Sequence, residues 1–283
     1  MGSEAKECRY LGLSTRGFHR LVYWEWGSPD NARVLLCVHG LTRQGRDFDT
    51  LASALAAHYR IAAPDIIGRG RSDWLADKAG YGYPQYCADM ATLIARLGSE
   101  TVDWVGTSMG GLIGMMLAAQ PNSPIRRLVL NDIGPLVPKT GVERLAAYVG
   151  KDPRFASVDA AIAYTREVAA PFGALSEAEW RHLTVHGLRQ EPDGSFRLRY
   201  DPAIAAPFQG EIKDVDLWSL WDRIACPVLV LRGERSDLLL PATAAEMQRR
   251  GPKAKLVEIP NCGHAPALMA AEQIAVVREF LLG

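Results

Sequence analysis

The chain has 283 residues, 48% of them hydrophobic and 23% charged, with 32 basic and 32 acidic side chains. That length suits one α/β domain carrying a modest insertion, or two small domains. Zero net charge excludes a general electrostatic attraction to nucleic acid, to an anionic membrane surface or to a strongly charged partner. Local basic groups such as Arg69, Arg71 and Arg126–Arg127 read as solvated faces. No apolar stretch is long enough to span a bilayer, and the charged stretch from Met1 to Tyr10 lacks the apolar core of a signal peptide. Cys8, Cys37, Cys87, Cys226 and Cys262 are odd in number and scattered, with no Cys-x-x-Cys pair. A reducing, cytoplasmic setting is expected, with Cys37 as a small core residue.

Taken in chain order, Phe18 to Trp26 alternates as an amphipathic strand and meets a turn at Gly27-Ser28-Pro29-Asp30, so an antiparallel pair is expected to precede the parallel strands. Val34 to Val38 reads as a buried strand, Phe48 to Ala57 as a helix and Arg60 to Ala63 as the next strand, stopped by Pro64-Asp65. Tyr86 to Leu97 reads as a helix, Val102 to Val105 as a strand, Leu112 to Ala119 as a helix and Leu128 to Leu130 as a strand. Regularity lapses from Gly134 to Glu211, with helix-like pieces at Val142 to Tyr148 and Val158 to Val168. Alternation resumes at Val228 to Leu231, Ala242 to Arg250, Leu256 to Ile259 and Ala267 to Phe280. Short apolar runs alternating with longer helical periods predict a mostly parallel sheet covered by helices. The irregular stretch predicts a helical cap over 134–211, inserted into a core of 1–133 and 212–283.

The central chemical signal is Gly106-Thr107-Ser108-Met109-Gly110-Gly111, between an apolar strand and a helix. A serine on such a turn is forced into a strained backbone conformation that exposes its hydroxyl, and flanking glycines let strand and helix approach. The bare Gly-x-Ser-x-Gly pattern arises by chance about once in ten such sequences, so its context matters. A serine needs a base. Among His19, His39, His58, His182, His186 and His264, only His264 lies in a loop after a late strand, in Asn261-Cys262-Gly263-His264-Ala265-Pro266. The base needs an acid. Asp237, in the loop after Val228 to Leu231, is the expected one, in the chain order serine, acid, histidine. Asp132, directly after Leu128 to Leu130, is its competitor and otherwise a structural carboxylate; Glu234 is a third choice. The expected oxyanion donors are the backbone N–H groups of Leu41 and Met109, with His39 a hydrogen-bonded structural residue.

His39-Gly40, Asp65-x-x-Gly68-x-Gly70-x-Ser72, Gly106-x-Ser108-x-Gly110-Gly111, Asp237 and His264 together resemble the α/β-hydrolase superfamily, in particular its small capped bacterial members. The resemblance runs from Phe18 to the last residue, the cap excepted. It implies an eight-stranded, mostly parallel sheet with one antiparallel strand, a pocket between sheet and cap, and no cofactor. The expected activity is cleavage of the ester bond of a small or medium, largely apolar substrate through an acyl-enzyme on Ser108, in a carboxylesterase-type monomer or homodimer. Two alternatives stay open: a C–C bond hydrolase of a β-diketone-like substrate using the same triad, guided by Arg181, Arg189 or Arg197, and a non-catalytic binding protein. His182 and His186 stand four apart, a metal-ligand spacing, but residue 183 is Leu where a metalloprotease has Glu, so a solvated face is expected and no metal. Trp218 and Trp221 read equally as core packing or pocket lining.

Overall fold

Eight strands form one sheet in the order β1-β2-β4-β3-β5-β6-β12-β13. The computed structural model describes residues 4–283, so the first three residues of the charged Met1 to Tyr10 stretch lie outside the described residues. The strands of this sheet are β1 (Lys6–Ser14), β2 (Gly17–Trp26), β3 (Val34–Val38), β4 (Arg60–Asp65), β5 (Val102–Thr107), β6 (Ile125–Asn131), β12 (Val228–Gly233) and β13 (Lys255–Ile259). Only β2 runs against its neighbours, pairing antiparallel with β1 and β4; every other pairing in the sheet is parallel.

Strand side chains alternate between the two faces, as a period of two requires. Leu36, Val38, Leu128, Leu130 and Val230 join one buried cluster, with residues of α2 (Tyr83–Leu97), α3 (Met109–Ala118), α7 (Trp218–Trp221) and α8 (Pro241–Met247). Leu35, Cys37, Val129, Leu229 and Leu231 join the other, against α1 (Asp49–Leu55) and α9 (Ala271–Leu282). The central strands are buried on both faces, which is why they read as continuous apolar runs.

β1 has a pattern that hydrophobicity conceals. Its outward residues include Leu11 and Leu13, both exposed, while Tyr10 and Gly12 face inward. α2 covers this hairpin: His19 Nε2 lies 2.9 Å from Asp89 Oδ1.

Between β6 and β12 the chain leaves the sheet. The excursion holds α4 (Lys139–Ala146), α5 (Val158–Val168) and α6 (Glu177–Val185), together with short strands. β8 (Arg154–Phe155), β9 (Leu188–Gln190) and β10 (Phe196–Leu198) form an antiparallel three-stranded sheet in the order β8-β10-β9. β7 (Leu136–Val137) pairs with β11 (Val215–Asp216), joining the two ends of the excursion. This part is therefore mixed in structure, with small sheets beside its helices.

Candidate active site

Ser108 leaves the end of β5 with φ 53° and ψ −118°, a region costly for a non-glycine residue by about 1–3 kcal/mol. Glycine is required around it: a Cβ on Gly106 would lie 2.4 Å from Gly110 backbone, and one on Gly110 2.0 Å from the Val38 carbonyl oxygen. The serine hydroxyl thus projects from a turn that packs tightly against β3. His264 Nε2 lies 2.8 Å from Ser108 Oγ, and His264 Nδ1 lies 2.8 Å from Asp132 Oδ2.

The surrounding donors fix the proton positions. Ser236 Oγ accepts from the Leu238 and Leu239 N–H groups, so its single proton is directed to Asp132 Oδ2, 2.6 Å away. The Gly233 N–H donates to Asp132 Oδ1 at 2.7 Å. Asp132 is thereby an acceptor on both oxygens and accepts a hydrogen bond from His264 Nδ1–H, leaving Nε2 free to receive the proton of Ser108. Asn131 braces the assembly, its amide donating to Thr107 Oγ1 at 3.0 Å and to the Pro266 carbonyl at 2.8 Å.

The acid is a correction to the sequence-based expectation. Asp237 does not reach His264; its carboxylate takes a forked pair from Arg144 of α4, with Nη2 to Oδ1 at 2.9 Å. In the loop after β12 it is Ser236 that turns inward, so the next side chain points outward and stays 45% exposed. Asp132 is fully buried and adopts φ 56° directly at the end of β6, aiming its carboxylate across β12 towards the His264 loop. Both acids satisfy the order serine, acid, histidine; the distinguishing signal is that Asp132 ends its strand as Ser108 does.

A model of the alpha/beta hydrolase family matches residues 35–277. The chain belongs to that family. It is 50% identical over 280 residues to the 3-hydroxybutyrate-oligomer hydrolase of Cupriavidus necator, covering 96% of each protein. Among solved structures, a protein of Rickettsia typhi superposes with a TM-score of 0.92 at 32% identity, and an alpha/beta hydrolase of Novosphingobium aromaticivorans with 0.88 at 37%; both cover 99% of each chain.

In this hydrolase the loop after β3 is set by two buried side chains. The Ile66 N–H donates to His39 Nε2 at 3.0 Å, so His39 carries its proton on Nδ1 and gives it to the Gly40 carbonyl at 2.7 Å. Burial holds His39 neutral, its pKa lowered to about 3. The Gly40 carbonyl also accepts from the Arg43 N–H, so the peptide plane that carries the Leu41 N–H is fixed. Arg69, with no exposed surface, holds the Leu41 carbonyl at 2.9 Å and packs against the Tyr86 ring. Asp65 ties this loop to the next, accepting from the Gly45 and Arg71 N–H groups, although burial raises its pKa to about 6. The Asp65-to-Ser72 motif therefore supports the site from behind.

The hydrolase's cleft lies over Ser108 and His264, between the Gly40–Arg43 loop and the excursion. Leu145, Tyr148, Tyr164, Val168, Ala169 and Phe172 supply most of its far wall, with Arg144 and Tyr200. The three arginines considered for C–C chemistry do not line it: Arg181 pairs with Asp159, Arg189 with Glu191 and Arg197 with Asp152. Trp221 is core, its indole N–H bonded to the Arg250 carbonyl, and Trp218 packs beneath the Arg250 guanidinium. His182, His186 and Asp49 bring possible ligand atoms within 4.8 Å of one another. Asp49 is already forked to Arg46, and His182 Nε2 lies 3.0 Å from the Arg46 carbonyl, so these groups dock α6 onto the turn before α1.

Proposed function

We propose that this hydrolase cleaves the ester bonds of short 3-hydroxybutyrate oligomers. The observation that carries the reading is the unbroken Ser108–His264–Asp132 relay, with 2.8 Å contacts at both ends of the imidazole, opening onto a cleft of mainly apolar walls. The 50% identity to an oligomer hydrolase supports the substrate class.

His264 Nε2 removes the Ser108 proton as Oγ attacks the ester carbonyl, and Asp132 stabilises the imidazolium. The oxyanion is assigned to the Leu41 and Met109 N–H groups, one on the braced loop and one in the first turn of α3, where the helix end favours negative charge. Collapse breaks the bond between acyl carbon and alkoxy oxygen, and His264 protonates that departing oxygen, so one hydroxyacid unit leaves with a free hydroxyl. Water then enters, gives a proton to the same nitrogen and attacks the acyl-enzyme, releasing the acid and restoring Ser108. Hydrolysis of the 3-hydroxybutyrate trimer by wild type, with a fall of about a thousandfold or more in Ser108→Ala, is the expected result. Full activity in the variant, or a folded wild type inert on the trimer and on 4-nitrophenyl butyrate, refutes the proposal.

A further inference from the structure

A short hydroxyacid oligomer ends in a carboxylate, and a mainly apolar cleft opposes burying that charge without a partner. The excursion supplies one. Arg144 lies in the last turn of α4 and Tyr148 in the turn just beyond its end, and both line the cleft over Ser108. Arg144 spends Nε and Nη2 on Asp237, and among the described residues its Nη1 makes no hydrogen bond. Arg43 does likewise from the opposite wall, giving Nε and Nη2 to Asp47 and Nη2 to the Leu183 carbonyl. The Tyr148 hydroxyl lies within the influence of both guanidiniums, which counter the burial that raises its pKa. Two cations and a phenol thus line the cleft that holds the nucleophile, Arg43 from the loop beside Ser108 and Arg144 and Tyr148 from the excursion.

We propose that Arg144 and Tyr148 form a recognition site for the free carboxylate of the substrate, with Arg43 adding to the field, so that the enzyme selects hydroxyacid esters that end in an acid. The site rests on the ester-hydrolase reading and adds polarity to it: the acid-bearing end points to α4. Asp237 neutralises Arg144 and competes with the incoming carboxylate for it.

The test compares the 3-hydroxybutyrate trimer with its methyl ester, which removes that charge, and scores cleavage at the internal ester bonds only. Wild type is expected to favour the free acid by about ten- to a hundredfold in kcat/KM, chiefly through KM, as hydrogen bonds to a charged group imply. In Arg144→Met the ratio of the two substrates falls close to one, and in Tyr148→Phe it falls partway. Asp237→Asn removes the competing carboxylate and raises the ratio, an opposite sign that loss of folding does not produce. Were Arg144 and Asp237 merely a latch between excursion and core, both substrates would suffer equally. Equal treatment of the two by wild type, or a ratio unmoved by Arg144→Met, overturns the proposal while leaving the ester reading intact. If wild type cleaves neither oligomer nor 4-nitrophenyl butyrate, the ester reading itself falls and the carboxylate site with it.

Discussion

On the sheet, each reacting group leaves the carboxyl end of a strand and is fixed within a few residues by buried backbone partners; in the excursion, the groups that wall the cleft are tied chiefly to other side chains. Ser108, Asp132 and His264 are at most 9% exposed, and Asp132 alone accepts three hydrogen bonds. Across the excursion, pairs such as Arg154–Asp193 and Arg181–Asp159 are more than half exposed on each side, where an ion pair contributes about 0–1 kcal/mol. Two of its apolar clusters are small, one built on Trp180, Leu183, Ala169 and Met269 and another on Phe155, Ala161 and Leu188, while Leu145, Val149, Tyr200 and Ile204 join the main cluster. The reacting groups are therefore the more deeply held, and the proposed carboxylate site lies partly in the excursion, where several of the ties are exposed.

The largest expected effect breaks the rigid half. Asp132→Asn removes the charge that stabilises the imidazolium and should lower kcat on 4-nitrophenyl butyrate by about 10³–10⁴. Asp237→Asn, on the excursion side, should cost less than about tenfold on the same neutral ester. Equal losses in the two variants would show that the acid has been misassigned. A smaller effect comes from Ser236→Ala, which deprives Asp132 of a donor and leaves the Leu238 and Leu239 N–H groups without their acceptor. A fall in kcat of about ten- to a hundredfold is expected, with a displaced acidic limb in the pH–rate profile. Unchanged kcat and pH profile would limit Ser236 to shaping its own loop.

The smallest contrast concerns two histidines whose pKa values burial lowers, His39 to about 3 on the sheet side and His186 to about 4 in the excursion. In both, the unfolded chain binds a proton that the folded chain refuses, so stability falls as pH drops below about 6.5, and each contribution flattens below its folded value. The slope for a single proton is about 1.4 kcal/mol per pH unit. Denaturation midpoints measured from pH 7 to pH 4 should decline accordingly, and imidazole NMR should show His186 titrating before His39. Protonation of His39 near pH 6 would contradict its role as an acceptor for the Ile66 N–H.

Much of the sheet side was legible in the sequence. Apolar runs located the six strands from β3 to β13 that build the parallel part, and the glycines around Ser108 marked a turn that the packing distances require. β1 escaped because its exposed face carries Leu11 and Leu13 and its inward face carries Tyr10 and Gly12, so hydrophobicity and burial disagree. The short strands of the excursion escaped because two or three residues carry no period. Asp132 and Asp237 could not be separated by chain order, since both precede His264 and follow Ser108. The choice is made by a φ of 56° at Asp132 and by the inward turn of Ser236, neither of which periodicity encodes.

The pairing of Leu136–Val137 with Val215–Asp216 has an evolutionary reading. Because that neck brings the ends of the excursion together, everything between them hangs from the sheet as one long loop. Exchanging that loop leaves the main sheet's strands in place, provided the newcomer keeps a carbonyl like that of Pro171, to which the Gly263 N–H beside His264 donates at 2.7 Å. A lineage with such an attachment can try new substrates by rewriting the loop around that contact, and a protein engineer could graft a foreign excursion at the same neck if the graft preserves it.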